Sequence, residues 1–277
     1  MIDVELTIRN ISDTTINRNL ADVRAAFRFC MDRPTIIKLL KAQAREGGKK
    51  PTLSMEQMVK LFDYAFESDD RSHLQAYLVT AISTLGRPDA ILDICVAPER
   101  QQIEWDFNLL HLNPAGRLQN RKFRASVPIN CYLLPYLYAA KERFEDDETE
   151  SSGYIIEYKS DKLASMRQTW NRAKVATGLP MTRDYDAKMI RHTMGKWLRS
   201  QGVVWQELQG HMGHKIPGMT EGYAEYDPSY MGTVQKGINQ YFQEIERHVK
   251  HPINQGYAHT SLTAAKNIIS IKYKNNK

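Results

Sequence analysis

Residues Gly210 to Pro228, GHMGHKIPGMTEGYAEYDP, put His214 nine residues ahead of Tyr223, with a lysine, a proline and two glycines between them. A phenol with its ordinary pKa near 10 is a poor nucleophile at neutral pH, so Tyr223 can do chemistry only with help from cations. Upstream, AKMIRHTMGKWLRSQ (187–201) supplies them. At about 100° per residue, Ile190, Met194, Trp197 and Leu198 share one face, Lys188, His192, Gly195 and Arg199 line the opposite one, and Arg191 falls at the boundary. An arginine half embedded beside a core seam has a fixed guanidinium, and a fixed fork is what phosphate recognition needs. Each of these residues also fits a plain solvated basic face, and Tyr223 also fits a core aromatic; Glu221, Gly222 and Glu225 around the tyrosine favour a polar loop.

The helix over 187–201 is expected to end at Gly202 as a C-cap. A second short helix, VWQELQGHMG, follows with Trp205, Leu208 and Met212 as its buried side. A helix, a tight turn and a helix could form a helix-turn-helix DNA reader. Composition argues against it, because the second helix offers Glu207 and no Lys or Arg to base edges or phosphates. Earlier in the chain, TLSMEQMVKLFDYA opens an amphipathic helix with a capping box of Ser54 and Gln57. A long helix is expected from about Ser72 and another near GRPDAILDI, while 102–129 reads as a small antiparallel sheet around IEW and LLHL. Helices resume at Tyr132, pause at FEDDETESSG and continue to the end. At the N-terminus, 14–31 carries Ile16, Leu20, Val23, Phe27 and Cys30 on one helix face and Arg18, Arg24 and Arg28 on the other. REGGKKP breaks that pattern, so a second domain is expected from Pro51. The fold class is mainly α with a small antiparallel β-sheet.

The stretch IRHTMGKWLRSQGVVWQELQGHMGHKIPGMTEGYAEYDP resembles the signature region of the tyrosine recombinases, the phage integrase family, in which an Arg-His-Thr helix leads to a Gly-His turn and then to a nucleophilic tyrosine. The similarity of organisation extends from Pro51 to about Phe242, and TINRNLADVRAAFRF is similar to the end of the family's DNA-clamping N-terminal domain. The resemblance implies a catalytic domain over 51–246, a partial helical core-binding segment and linker over 1–48, and a basic tail over 247–277. Carried over residue by residue, the nucleophile falls on Tyr223, and its phosphate-binding partners on Arg191, His214 and Arg87 in TLGRPDAIL. The family often has an acid three residues after that last arginine; here the place is Ala90, with Asp89 adjacent. The family's lysine falls on Lys122 in NRKFRASVP, with Arg121 as the alternative. Lys188 stands where the helix motif usually has histidine, and would either relay the phenolic proton or stabilise charge. Arg18, Arg24, Arg28, Arg121, Arg124, His192 and Arg199 are expected to contact DNA.

The implied mechanism is attack of Tyr223 on a scissile phosphate, giving a 3′-phosphotyrosyl bond and a free 5′-hydroxyl. Arg87, Arg191 and His214 would donate to the non-bridging oxygens and Lys122 would protonate the leaving 5′-oxygen. The covalent link stores the phosphodiester energy, so no cofactor is expected. The resemblance implies site-specific recombination or integration by a homotetramer on paired sites of double-stranded DNA, with tail contacts between protomers. Relaxation of DNA in the manner of a type IB topoisomerase, and non-catalytic regulation by a helix-turn-helix, are the alternatives.

Composition fits a polyanionic partner: Lys and Arg outnumber Asp and Glu by 38 to 32, a formal charge of +6 in 277 residues. Cys30, Cys95 and Cys131 form no CxxC pair, which fits a reducing cytoplasm, and the resemblance implies a bacterial or phage-encoded, nucleoid-associated protein. His211 and His214, even joined by His192, find no cysteine or well-spaced carboxylate to complete a zinc set, so no metal is expected. MIDVELTIRN is no secretion signal and no stretch approaches the ~20 apolar residues that span a bilayer, so no membrane role is expected.

Overall fold

A computed structural model describes residues 13–31, 51–119, 122–148, 150–214 and 231–253. The chain divides into two compact units, residues 1–49 and 50–277. In the first, α1 runs Asp13–Met31. Of the apolar seam expected there, Ile16 is buried and Leu20 half-buried, but Val23, Phe27 and Cys30 are exposed. Arg18 and Arg28 face solvent and Arg24 is half-buried.

The second unit begins with α2 (Met55–Phe66), where the expected capping box forms: Gln57 N–H donates to Ser54 Oγ at 3.2 Å and Ser54 N–H to Gln57 Oε1 at 2.9 Å. Its buried side is Met58, Leu61, Phe62, Ala65 and Phe66. The next helix, α3 (Ser72–Thr84), is buried on every side from Leu74 onward, as its nearly unbroken run of apolar and small residues demands. One turn of helix, α4 (Pro88–Ile91), opens with Pro at its first position, where the missing N–H costs nothing.

The expected sheet is present. Strands β1 (Ile103–Glu104), β2 (Leu109–His111) and β3 (Ser126–Pro128) pair antiparallel in that order, with Leu110 opposite both Ile103 and Val127. Leu110 and Val127 are fully buried, so alternation puts one face of the sheet on the core. After α5 (Leu134–Glu145) comes a hairpin the helical reading of this stretch did not anticipate, β4 (Glu157–Tyr158) with β5 (Asp161–Lys162). Its turn residues Lys159 and Ser160 both have positive φ, 55° and 64°, the geometry of a two-residue hairpin turn but without the glycine or asparagine that signals one.

Four helices complete the described chain: α6 (Arg167–Thr177), α7 (Met189–Ser200), α8 (Trp205–His211) and α9 (Gly232–Glu246). Ile190, Met194 and Leu198 of α7 are fully buried, as the helical spacing requires. On α8 the expected apolar side is only partly realised: Leu208 is buried, but Trp205 is 46% exposed and lies under the Arg199 guanidinium at 4.7 Å. The starts of α8 and α9 cap one another. Glu207 Oε2 accepts from Thr233 N–H (2.8 Å), the Thr233 hydroxyl (2.8 Å) and Val234 N–H (3.2 Å), and Val204 N–H donates to Thr233 Oγ1 (3.2 Å). A carboxylate at a helix N-terminus satisfies donors that have no backbone partner.

The sheet is tied to the helices at Asp93, whose carboxylate accepts from Arg124 Nη1 (2.6 Å), Lys162 Nζ (2.6 Å) and Arg100 Nη2 (2.8 Å). Burial pulls the Asp93 pKa up, but the hydrogen bonds from Lys162 and Arg124 outweigh it and the net shift is downward. A carboxyl whose folded pKa is depressed stabilises the fold above its unfolded pKa of about 4 and loses that contribution as pH falls through the folded value. Asp93→Asn is therefore expected to lower the urea midpoint at pH 7 and to flatten the loss of stability below about pH 4. Parallel acid limbs in the two proteins would contradict this.

Candidate functional site

The site forms where three chain segments end together. Helix α3 stops at Leu85, a fully buried residue in the left-handed region (φ 49°). That turn presents the Leu85 carbonyl to α7, where Arg191 Nη1 donates to it at 2.5 Å. Arg191 Nη2 donates to the Met212 carbonyl beyond α8 at 2.7 Å and to His214 Nε2 at 3.0 Å. A guanidinium only donates, so Nε2 accepts and the neutral imidazole carries its proton on Nδ1. Burial, then Arg191, then Arg87 hold the His214 pKa below the ordinary histidine value, which keeps it neutral at pH 7.

Arg191 is 6% exposed, and burial first and the charge of Arg87 second pull its pKa down to about 10. It remains a cation at pH 7. Arg87, half-buried at the N-cap of α4, donates from Nη1 to the Phe123 carbonyl at 2.9 Å. Asp89, the carboxylate next to the place where the family's acid would fall, is exposed and lies 3.9 Å from Arg124 instead. Among the described residues no carboxylate forms an ion pair with Arg87 or Arg191. Two neighbouring buried or half-buried guanidiniums repel one another, at a cost that an anion between them would offset.

Gly213 makes the turn that brings His214 here. Its φ is +63°, Gly213 N–H donates to Gly210 O (2.9 Å) and His214 N–H to Gln209 O (3.0 Å), closing the end of α8. A Cβ at this position would lie 2.9 Å from the carbonyl oxygen of Phe123, the same group that holds Arg87, and 3.2 Å from Ala125 N. Both contacts are backbone and cannot rotate away. Gly213→Ala is expected to cost about 1–2 kcal/mol from left-handed backbone alone, with the clash adding to it, read as a lower urea midpoint. A midpoint equal to that of the unaltered protein would rule out the close approach.

The other expected site residues divide. Lys122 is exposed and adjoins Phe123, one residue from the group that anchors Arg87. Lys188 is exposed at the N-cap of α7, where its backbone N–H donates to Asp186 Oδ1 at 3.0 Å; the structure does not bring its ammonium to a partner among the described residues. His192 is half-buried and Arg199 exposed on the Trp205 ring. Arg124, expected to contact DNA, is instead 9% exposed and held by Asp93 and the Leu112 carbonyl, because it is the residue that bolts the sheet to α4. Arg121 and Tyr223 lie outside the described residues. So does the tail beyond residue 253.

Sequence reasoning weighed His211 only as a zinc ligand. It is buried and bonded to the Ser83 carbonyl, and among the described residues no cluster of three or more His, Cys, Asp or Glu is arranged to hold a metal. Among the described residues no helix is long and apolar enough to cross a membrane.

Solved structures share this arrangement of helices and sheet. The Tn1549 transposon integrase, in complex with circular intermediate DNA, matches with a TM-score of 0.54 at 16% identity, over 82% of this chain and 80% of its own. A single-residue variant of that integrase, also with circular intermediate DNA, matches at 0.56 and 14% identity over 86% and 82%. The chain has the tyrosine-recombinase fold. No protein-family model and no curated protein sequence matches it. At such identities the tyrosine-recombinase fold is carried by core patterning rather than by shared residues. Here that fold makes Arg191 and His214, 23 positions apart, direct neighbours.

Proposed function

We propose that the chain is a site-specific DNA recombinase of the integrase type, which cuts and rejoins double-stranded DNA through a 3′-phosphotyrosyl intermediate on Tyr223. The observation that carries this reading is the contrast between two buried arginines. Arg124 is matched by Asp93, whereas Arg191 has a second arginine beside it and no carboxylate among the described residues. One is part of the frame. The other is oriented by the Leu85 and Met212 carbonyls and has charge left over for a phosphate.

In the proposed reaction the Tyr223 oxygen attacks phosphorus, the bond to the 5′-oxygen breaks, and the phenolic proton leaves through solvent or Lys188. Arg87, Arg191 and the Nδ1–H of His214 meet the charge that builds on the non-bridging oxygens. Lys122, or Arg121 beside it, delivers a proton to the 5′-oxygen. Attack by the 5′-hydroxyl of a second strand on the phosphotyrosine completes the exchange without a cofactor. A homotetramer on paired sites, with the 247–277 tail passing between protomers, would hold two duplexes together; the 51–246 segment would be the catalytic domain, and Arg18, Arg24 and Arg28 of the 1–48 segment would contact DNA.

The test is a nicked duplex that releases the short 5′ fragment after cleavage. A DNA adduct stable in denaturing gels, whose peptide carries a nucleotide on Tyr223, is expected. DNA binding with no adduct on any sequence offered, including the DNA that flanks the coding sequence, would favour a non-cutting regulator and end this reading. Strand transfer between two duplexes, as against relaxation of supercoils, separates a recombinase from a type IB topoisomerase.

A further inference from the structure

His211 takes no part in the chemistry above, yet it is 1% exposed and sits between the ends of two site-forming helices. Its Nε2 lies 3.0 Å from the Ser83 carbonyl, and its Nδ1 meets no hydrogen-bond partner among the described residues. A carbonyl can only accept, so the proton resides on Nε2. Burial, opposed by the Ser83 bond and reinforced by the charge of Arg191, holds its pKa at about 4, and the ring is neutral at pH 7.

Ser83 belongs to the last turn of α3, where helix carbonyls lose their backbone partners. Two such groups are satisfied by side chains from other helices: Ser83 by His211 of α8, and Leu85 by Arg191 of α7. Arg191 also holds the Met212 carbonyl, next in sequence to His211. Three bonds therefore close a triangle between the ends of α3 and α8 and the guanidinium on α7. Two of them belong to Arg191. Without the third, the hydrogen bonds that join the turn carrying Met212 and His214 to α3 among the described residues would all run through Arg191, the proposed phosphate ligand.

We infer that His211 is a positioning residue, whose Nε2–H bond to Ser83 sets the separation of the α8 turn from α3 and so fixes Arg191 and His214 in a phosphate-receiving geometry. This rests on the reading of those two residues as phosphate ligands. Misplacing such donors by a fraction of an ångström costs rate, while ground-state contacts along the rest of the DNA are unaffected.

The experiment uses the full chain with His211→Gln, which keeps a donor, and His211→Leu, which removes it at similar volume. Should leucine prevent folding, His211→Asn, whose shorter amide falls short of Ser83, replaces it. Single-turnover cleavage gives a rate constant per active molecule and an amplitude. His211→Leu is expected to lower the rate constant about tenfold or more with DNA affinity within about twofold, and His211→Gln to recover most of it. A residue that only supports stability would lower the amplitude and leave the rate constant alone, and that result, or equal losses in both variants, overturns the inference. ¹⁵N spectra of the histidines separate this failure from that of the function itself. His211 should show the Nε2–H tautomer from pH 5 to 8, and the His214 resonances should move in His211→Leu. If the unaltered protein forms no adduct, the recombinase reading is lost, and unmoved His214 resonances would then dispose of the positioning role as well.

Discussion

Tyr223→Phe is expected to abolish the covalent DNA adduct, lowering cleavage by at least about 10⁴-fold, while DNA affinity stays within about twofold of the unaltered protein. The change removes one oxygen and no charge. In the proposed reaction Arg87, Arg191 and His214 bind the DNA oxygens, so the loss of the phenol oxygen leaves phosphate binding untouched. The measurement pairs a denaturing gel for adduct with a binding titration at fixed salt, since phosphate contacts make affinity salt-dependent. Adduct formation by the phenylalanine variant would mean another nucleophile, and Tyr223 would lose its role.

The second large effect concerns Arg191. Arg191→Met keeps much of the volume and apolar stem but removes three donated hydrogen bonds and the charge. Loss of one donor aimed at developing negative charge costs about 10²–10³-fold in rate, and that is the expected fall in single-turnover cleavage. Stability should move less than for Arg124, which is matched by the Asp93 carboxylate. The Leu85 and Met212 carbonyls lose donors at a cost of about 1–3 kcal/mol each, but a desolvated cation beside Arg87 is also removed, and that relief has the opposite sign. Inorganic phosphate is the diagnostic ligand. It should raise the Tm of the unaltered protein, because only the folded site binds it, and leave that of Arg191→Met unchanged. An equal rise in both proteins would place the anion elsewhere.

Arg191 also shows how far residue patterns reach. Helical spacing put it at the edge of an apolar face, and the structure buries it there with its guanidinium held at both ends. The capping box at Ser54 and the run of helices were legible because each is encoded by residues within one or two turns of each other, and the 102–129 sheet because its short β-rich runs are set off by turn residues such as NPAG. The β4–β5 hairpin was not, because its turn residues Lys159 and Ser160 are poor left-handed formers and tertiary packing overrides their preference. Trp205 was misplaced because an exposed tryptophan under an arginine has the same spacing as a buried one.

Local order along the chain thus determined most of the elements and the basic face of α7, and the family resemblance added the candidate list of Arg87, Arg191, His214 and Tyr223. It could not say which basic residues meet a carboxylate, since that depends on groups far away in sequence. Arg124 and Arg191 read alike as cations; 31 residues separate Arg124 from the Asp93 that neutralises it, and 106 separate Arg191 from the carbonyl that aims it. Only the packed structure decides such partnerships, because charge pairing and desolvation are properties of distance in space. The same holds for His211, whose bond to Ser83 spans 128 residues and turns a surplus histidine of the sequence into a brace between two helix ends.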